Sequence, residues 1–369
     1  MPDTPSRSPA AAPAIAPVAA SVRTPASVRG LLRWWRVPFW TLALLTGAKS
    51  FADNPILGSR RLNRAGLHLW RLRLAHRMAK RRRARLATLL PIELRKQFDR
   101  DGFIVIPDFI PREEFRPLQA SLLEAELDCR EHVQGDAITR RVPVNANLLQ
   151  RFTSLSRLLD NPRWKGLMSY VASTRAAPLY YIQTIIGGVA KGPPDPQLQL
   201  HSDTFHPSLK AWLFLTDVEE NARPLTYVAG SHRLTSERAR WEYQRSIDVL
   251  DHGDRLSQRG SLRVSPEELR TLSLPQPTRF CVPANTLVVV DTHGFHARGD
   301  SNHPTLRVEL WAYCRRSPFL PWTGADLLSW RPIAVRRADW LASLVDWLDR
   351  RGWMKQHWRS AGKRRVADF

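Results

Sequence analysis

Hydrophobic and polar positions change their period along the chain, and the change separates two kinds of structure. Between residues 62 and 90, apolar side chains recur at helical spacing with arginines on the remaining surface: Leu67, Trp70, Leu74, Met78 and, more loosely, Leu86. Beyond residue 178, short apolar runs are bounded by Pro, Gly, Asn and Asp, which is typical of strands. The pattern therefore predicts a helical extension followed by a β-rich domain.

The β-rich domain is predicted over residues 91–317. It opens with a short helix over Pro91–Arg100, a strand over Phe103–Pro107 and a helix from Pro111 to about Cys129. Further strands are predicted at residues 179–188, 197–203, 210–218, 224–230, 278–282, 286–291 and 305–315. Because many short strands with turn signals form sandwiches or barrels, we predict a mainly β fold with flanking helices (α+β) and a jelly-roll, or double-stranded β-helix, core.

Three segments surround or interrupt these strands. Residues 1–30 are mostly Ala, Pro, Ser and Thr, which predicts a disordered leader rather than a secretory signal. Residues 31–90 form a Trp- and Arg-rich helical extension whose apolar part is too short to span a bilayer. It is either an interfacial segment or a brace on the domain. Residues 235–277 are polar and are interpreted as an insertion, a candidate lid.

The C-terminal extension, residues 318–369, is basic and holds six tryptophans. Residues 338–355 predict an amphipathic helix whose apolar face includes Leu341, Leu344, Val345 and Leu348. As for the N-terminal extension, docking on the domain and insertion into a membrane interface both remain open.

The net charge of the chain indicates the class of its binding partner. The 369-residue chain has a formal net charge of +22, which indicates a polyanionic partner. An anionic membrane surface is favoured over nucleic acid, because no nucleic-acid-binding signature accompanies the basic segments. A plain solvated charged face is the third alternative. The three scattered cysteines form neither a disulfide framework nor a zinc pattern, which suits a reducing compartment. Together with the positive charge, this leads us to expect a cytoplasmic protein attached peripherally to the inner face of the membrane.

The candidate chemistry lies in His201-Ser202-Asp203 and a histidine about a hundred residues downstream. Residues two apart on a strand point to the same face, so both side chains can reach one ion. Two histidines and one carboxylate are the ligand set of non-haem iron(II) oxygenases. His296 precedes Arg307 by eleven residues and is favoured over His293 as the third ligand. The Arg307 guanidinium suits the carboxylate of an organic co-substrate.

Further stretches make the chain resemble the phytanoyl-CoA dioxygenase family over roughly residues 92–316. The stretches that carry the resemblance are Asp101–Pro107, the Ala211-Trp212 to Pro224–His232 hairpin, and His296 with Gly299, Asn302 and Arg307. The family usually has Gly where Arg223 stands, and often Gln where Ser202 stands.

The resemblance implies that His201, Asp203 and His296 bind iron(II) and that Arg307 binds the distal carboxylate of 2-oxoglutarate. Trp212 matches a position that lines the co-substrate pocket in some members. The resemblance also implies oxygen as the second co-substrate and allows ascorbate as a further cofactor. Halogenating members lack the carboxylate ligand, so the presence of Asp203 favours hydroxylation.

Several other polar residues are candidates for the same site. Gln183 and Thr184 lie on a predicted core strand, and either could face 2-oxoglutarate. His206 is a candidate for the pocket mouth, and His232 is expected to stabilise a turn. The cluster Arg140, Arg141, Asn145 and Asn147 either meets an acidic substrate or is loop surface. On residues 212–216, the face that carries Trp212 is expected to line the cavity.

Two hypotheses of different class follow. The first is a 2-oxoglutarate-dependent hydroxylase acting on a lipid or glycolipid at a membrane surface, with lipopolysaccharide core as one candidate substrate. The second is a basic membrane- or nucleic-acid-binding protein with a catalytically idle jelly roll. The sequence does not specify the substrate or the oligomeric state.

Overall fold

The computed structural model describes residues 34–301, 303–324 and 326–369, so the expected leader and Asn302 lie outside the described residues. Residues 40–369 form one compact unit, and residues 34–39 belong to a separate N-terminal unit. The α-helices are α1 Val37–Ala43, α2 Arg60–Arg64, α3 Leu67–Arg85, α4 Ile92–Asp101, α5 Arg112–Leu123, α6 Ala146–Arg151, α7 Thr153–Asp160, α8 Pro162–Val171, α9 Ser236–His252, α10 Arg255–Gln258, α11 Pro266–Thr271, α12 Arg331–Ala334 and α13 Arg337–Arg350. The 3-10 turns are Trp34–Arg36, Ala87–Leu89, Pro196–Leu198 and Leu327–Ser329.

The strands form two antiparallel sheets. They are β1 Phe103–Ile106, β2 Glu126–Gln134, β3 Ala137–Pro143, β4 Leu179–Gly187, β5 Leu209–Phe214, β6 Leu225–Tyr227, β7 Thr278–Arg279, β8 Leu287–Asp291, β9 His296–Arg298, β10 Thr305–Cys314 and β11 Arg359–Arg365. The large sheet has the order β1-β8-β5-β10-β4-β3-β2-β11, and the small sheet has the order β7-β6-β9. The mainly β jelly-roll prediction is confirmed.

Strand alternation separates two layers of core. Leu213 of β5 and Leu310 of β10 face the helices, in a cluster with α4, α5, α7 and α8. Trp212 and Phe214 of β5 pack instead against the small sheet, where they meet Tyr227. Because successive strand residues point to opposite faces, the expectation that the Trp212 face lines the cavity is confirmed.

Two predicted elements were wrong, and one open alternative is settled. The helix expected to reach Cys129 ends at Leu123, and Cys129 lies on β2 instead. The strand expected at residues 197–203 is absent, and His201 forms only isolated bridges. Strand β3 carries Arg140 and Arg141, which rules out the interpretation of both as loop surface. The hairpin β2–β3 escaped prediction because charged residues interrupt its apolar alternation.

The N-terminal helix α3 packs on the domain, but by a different face from the one predicted. Trp70 is 53% exposed, whereas Arg71, Ala75 and Arg82 are buried. The Arg71 guanidinium donates to the carbonyl oxygens of Leu44, Thr46 and Ala48 at 2.8–2.9 Å. The helix therefore braces the fold through buried arginines, and the apolar stripe did not indicate which face is covered.

The insertion at residues 235–277 contains α9, α10 and α11, but the described cavity-lining residues come from elsewhere. It supports the backbone of the His201 segment: Ser202 N donates to Leu262 O at 3.0 Å, and Val264 N donates to Leu200 O at 3.0 Å. The insertion is thus a buttress of the candidate site rather than its lid.

The C-terminal extension contributes both a helix and a strand. Strand β11 extends the large sheet beside β2, and Val366 after it is buried. Helix α13 keeps much of its apolar face exposed, including Trp340, Leu341 and Leu344. Among the described residues, no helix is both long enough and apolar enough to cross a bilayer.

Candidate metal centre

The side chains of His201, Asp203 and His296 converge on one point. The two histidine backbones pair directly: His201 N donates to His296 O at 3.0 Å, and His296 N donates to His201 O at 2.9 Å. Each Nε2 lies 3.7 Å from Asp203 Oδ1, and all three ligand atoms lie within 4.8 Å of one another. The isolated bridge between His201 and His296 thus takes the place of the expected strand. It positions two imidazoles and one carboxylate on one side of a cavity.

Both histidines are prepared as neutral ligands. Their Nδ1 atoms face the carbonyl oxygens of Gln199 at 2.7 Å and Gly294 at 2.9 Å, so we assign the proton to Nδ1 and the lone pair to Nε2. Burial lowers the pKa of His201 well below its ordinary value and that of His296 to about 4. The buried His296 Nε2 has no hydrogen-bond partner among the described residues. A divalent cation fits this donor set.

Asp203 is held as a carboxylate by nearby positive charge. Burial raises its pKa, but the positive charge of nearby groups, chiefly Lys210, outweighs burial, so the net pKa lies below the ordinary value. Lys210 Nζ lies 2.7 Å from Oδ2, and Lys49 Nζ donates to the Asp203 backbone oxygen. Lys49 belongs to the N-terminal extension, which therefore reaches the candidate centre.

The structure separates the two histidines that the sequence left open. His293 is fully buried away from the cluster: its Nδ1 lies 3.1 Å from Thr204 O, and its Nε2 lies 3.6 Å from Glu242 Oε1. His206 is wrong as a pocket-mouth residue, because it is buried with Nδ1 at 2.9 Å from its neighbour's carbonyl, Pro207 O, and does not line the cavity.

Arg307 lines the same cavity of about 450 Å³ as the three candidate ligands. Its Nε donates to Glu309 Oε2 at 2.7 Å, and its Nη1 donates to Arg223 O. The guanidinium is therefore fixed in orientation before any co-substrate arrives. Glu309 was not among the predicted site residues, although residues two apart on a strand share a face.

The two adjacent candidates on β4 point in opposite directions. Gln183 lines the cavity, accepting from Arg141 Nε at 2.7 Å and donating to Glu309 Oε1 at 2.7 Å. Thr184 does not: its Oγ1 donates to Val366 O at 2.6 Å on the other face. Strand alternation forbids both from facing one ligand, so the Thr184 assignment was wrong.

Other cavity residues escaped the sequence reasoning. Trp311 and Trp358 supply aromatic walls, and Arg298 pairs with Asp195 at 2.6 Å. Trp311 could have been predicted, because it follows Arg307 by four residues on β10 and therefore points to the same face of the strand. Trp358 was not, since it arrives from the C-terminal extension.

Arg223, at the family's usual glycine position, has a φ of 54°. This left-handed conformation favours glycine, which explains the family's preference. Here the Arg223 guanidinium is buried and pairs with Asp136, while its carbonyl orients Arg307. The departure therefore leaves the candidate metal centre intact.

The sequence model of the family described as phytanoyl-CoA dioxygenase (PhyH) matches residues 98–257. The match includes His201 and Asp203 and ends before His296 and Arg307. No curated protein matches the chain.

Solved structures similar to this chain include those of SnoN, SnoK and HygX. The 2-oxoglutarate-dependent epimerase SnoN from nogalamycin biosynthesis is 19% identical, with 65% of this chain and 92% of that chain covered and a TM-score of 0.38. The carbocyclase SnoK from the same biosynthesis is 18% identical, with 62% and 84% covered and a TM-score of 0.40. HygX from Streptomyces hygroscopicus, with nickel and 2-oxoglutarate bound, is 18% identical, with 61% and 86% covered and a TM-score of 0.39. At these values the likeness carries nothing about substrate.

The family match and the convergent ligand set agree with the resemblance found in the sequence. Residues 98–257 of this chain match the phytanoyl-CoA dioxygenase family, and the described residues bring together the ligand set of an iron(II)- and 2-oxoglutarate-dependent oxygenase.

Proposed function

We propose that the protein hydroxylates a C–H bond of an anionic lipid or glycolipid at a membrane surface. The observation that carries the oxygenase chemistry is the meeting of His201, Asp203 and His296 in one cavity with Arg307. The retained carboxylate of Asp203 supports hydroxylation, because halogenating relatives lack this ligand.

The chain's own residues divide the work. His201, Asp203 and His296 would hold iron(II) on one face and leave other positions open. When bound, the metal couples oxidative decarboxylation of 2-oxoglutarate to oxidation of the substrate. Arg307, fixed by Glu309, would take the distal carboxylate of the co-substrate. Trp212 and the other aromatic residues of the cavity would place apolar walls around the reacting groups.

Exposed apolar side chains support the membrane part of the proposal. On α13, Trp340, Leu341, Leu344 and Trp347 follow helical spacing on one face, and each is exposed. Trp353, which follows the helix, is 70% exposed. Basic residues follow in sequence at Arg350, Arg351 and Lys355, and the Arg351 guanidinium lies over the Trp347 ring. Aromatic and cationic side chains together favour the headgroup region of an anionic leaflet, and we place the protein at the inner face of the membrane.

Three assays test separate parts of the proposal. Purified protein should convert 2-oxoglutarate to succinate under oxygen only when iron(II) is supplied, and cells without the protein should lack a lipid heavier by one oxygen atom. Flotation with anionic vesicles should recover the wild-type protein at low salt, and Trp340→Ser with Leu344→Ser should reduce recovery. Wild-type protein that ignores anionic vesicles would remove the membrane part and leave the oxygenase part standing.

A further inference from the structure

Arg141 on β3 lies against three aromatic rings at the wall of the metal cavity. Its guanidinium carbon lies 4.0 Å from the ring centroid of Trp311, 4.4 Å from that of Trp358 and 5.4 Å from that of Tyr181. Nε donates to Gln183 at 2.7 Å. The nearby rings and the hydrogen bond at Nε hold the guanidinium in place, and its terminal nitrogens remain for another partner.

Arg141 differs from the other cations of the cavity in having no acidic partner. Lys210 pairs with Asp203, Arg298 pairs with Asp195, and Arg307 pairs with Glu309. Across residues 34–301, 303–324 and 326–369, no carboxylate forms an ion pair with Arg141, and its terminal nitrogens form no hydrogen bond. Burial lowers its pKa to about 10, with Glu309 acting in the opposite direction. Because burial removes this guanidinium from water and no carboxylate pairs with it, an anionic ligand would stabilise its charge.

The position of Arg141 points to the substrate rather than the co-substrate. Together with Tyr181 and Trp358, it lines both the metal cavity and a neighbouring groove of about 710 Å³. Arg307 lines the metal cavity but not the groove. A molecule that extends from the metal cavity into the groove therefore passes Arg141.

The groove has the character of a site for an amphiphilic molecule. It runs between strands β2, β3 and β11 on one side and α13 on the other, with apolar side chains from Leu148, Leu341 and Val345. Polar groups from Asn145, Asn147 and Arg151 line it as well. Leu341 belongs to the exposed apolar face of α13, so the groove is continuous with the surface that we assign to the membrane.

We propose that Arg141 binds an oxyanion of the primary substrate, a carboxylate or a phosphate, while the body of the substrate occupies the groove along α13. The terminal nitrogens of a guanidinium match two oxygens of either group. Trp311 and Trp358 keep the guanidinium in place, and Trp358 makes the C-terminal extension part of the substrate site. The inference deepens the proposed function and rests on it for the meaning of "substrate".

The test uses octyl phosphate, octanoate and octanol as probes of full-length protein loaded with manganese(II) and 2-oxoglutarate. By calorimetry, at least one anionic probe should bind more tightly than octanol. Arg141→Gln should weaken that probe by about tenfold, as expected for loss of a charge-assisted hydrogen bond, with 2-oxoglutarate affinity retained. The phosphate and carboxylate arms decide between the two oxyanions. Exposed Arg116→Gln removes the same charge from α5 and should change nothing.

Variant folding is checked by near-ultraviolet circular dichroism, and Arg141→Lys and Trp358→Leu give independent variants. Lysine should recover part of the anion affinity, and Trp358→Leu should weaken the anionic probe. The inference fails if wild-type protein shows no preference for anions, if Arg141→Gln leaves the probes unaffected, or if it weakens 2-oxoglutarate more than the probe. Failure of manganese and 2-oxoglutarate to bind, with Arg141-dependent probe binding intact, would instead overturn the oxygenase proposal.

Discussion

Buried arginine side chains tie backbone segments together throughout this protein. Arg82 of α3 donates to Ser173 O at 2.9 Å, Pro318 O at 2.8 Å and Leu320 O at 2.7 Å. One guanidinium thus joins the N-terminal extension, the loop after α8 and the chain after β10. Its positive charge is used inside the molecule and contributes little to an external partner.

Replacement of Arg82 should therefore destabilise the fold strongly. We expect Arg82→Met to lower the free energy of unfolding by about 3 kcal/mol, because several buried carbonyl groups lose their donor. Arg81→Met, one residue away and exposed, is the matched control and should change stability little. Urea unfolding measures both, and equal effects would show that Arg82 is not a structural tie.

A second residue pair separates binding from stability. Gln183→Leu should weaken 2-oxoglutarate binding by about tenfold, because Glu309, which orients Arg307, loses a donor. Thr184→Val should leave that affinity unchanged and lower stability by about 1 kcal/mol, since Val366 O loses its donor. Calorimetric titration and urea unfolding report the two quantities, and an effect of Thr184→Val on co-substrate affinity would contradict the assigned directions.

At the scale of elements, the spacing of hydrophobic residues predicted the strands that have an apolar face. It did not predict β2 and β11, which lie at one side of the large sheet. Strands β5 and β10 alternate clearly, so the Trp212 face was predicted. Strand β2 begins Glu126-Leu127-Asp128 and β11 is largely basic, and neither shows an apolar run. Both strands are fixed by pairing with neighbours, which no local pattern carries. The two histidines are likewise joined by a bridge distant in sequence rather than by a local strand.

The docking of the C-terminal strand is open to a direct test. Val366 is 1% exposed, whereas Val133 on β2 is 59% exposed. Val366→Ala should lower the free energy of unfolding by about 2 kcal/mol through lost burial and a residual cavity. Val133→Ala should cost little. If urea unfolding gives equal values, the C-terminal strand does not pack against the domain in solution.

At the scale of the whole molecule, buried neutral histidines set the response to acid. Burial lowers the pKa of His76 and His206 to about 3, and those of His232 and His293 well below their ordinary value. Below the ordinary histidine pKa of 6.5, the unfolded chain takes up protons that the folded chain excludes. Stability is therefore complete above pH 6.5 and falls as the pH drops towards 3.

Each such histidine makes the free energy of unfolding fall more steeply with decreasing pH, by up to about 1.4 kcal/mol per pH unit. Urea unfolding at a series of pH values should show this decline, and His206→Gln should make it shallower. Stability that stays flat below pH 6.5 would show that these histidines are protonated in the folded protein.

The net charge of +22 indicated an anionic partner but not where the charge acts. Arg71, Arg82 and Arg83 bind carbonyl groups of their own chain, which the sequence could not reveal. Basic and aromatic side chains remain exposed on both the N-terminal and the C-terminal extensions, and those of the C-terminal extension are the ones that we propose contact a membrane. The candidate centre was more predictable, because its ligand types and spacing are dictated by iron chemistry.

Anaerobic titration with iron(II), followed by 2-oxoglutarate, tests the central claim most directly. Wild-type protein should bind one iron per chain and then develop the visible absorption of an iron(II)–2-oxo acid chelate. His296→Ala and Asp203→Ala should lose both signals, while His252→Ala, at an exposed position on α9, should retain them. Wild-type protein that binds no iron, or His296→Ala protein that binds iron and 2-oxoglutarate as wild type does, would contradict the assignment of this centre.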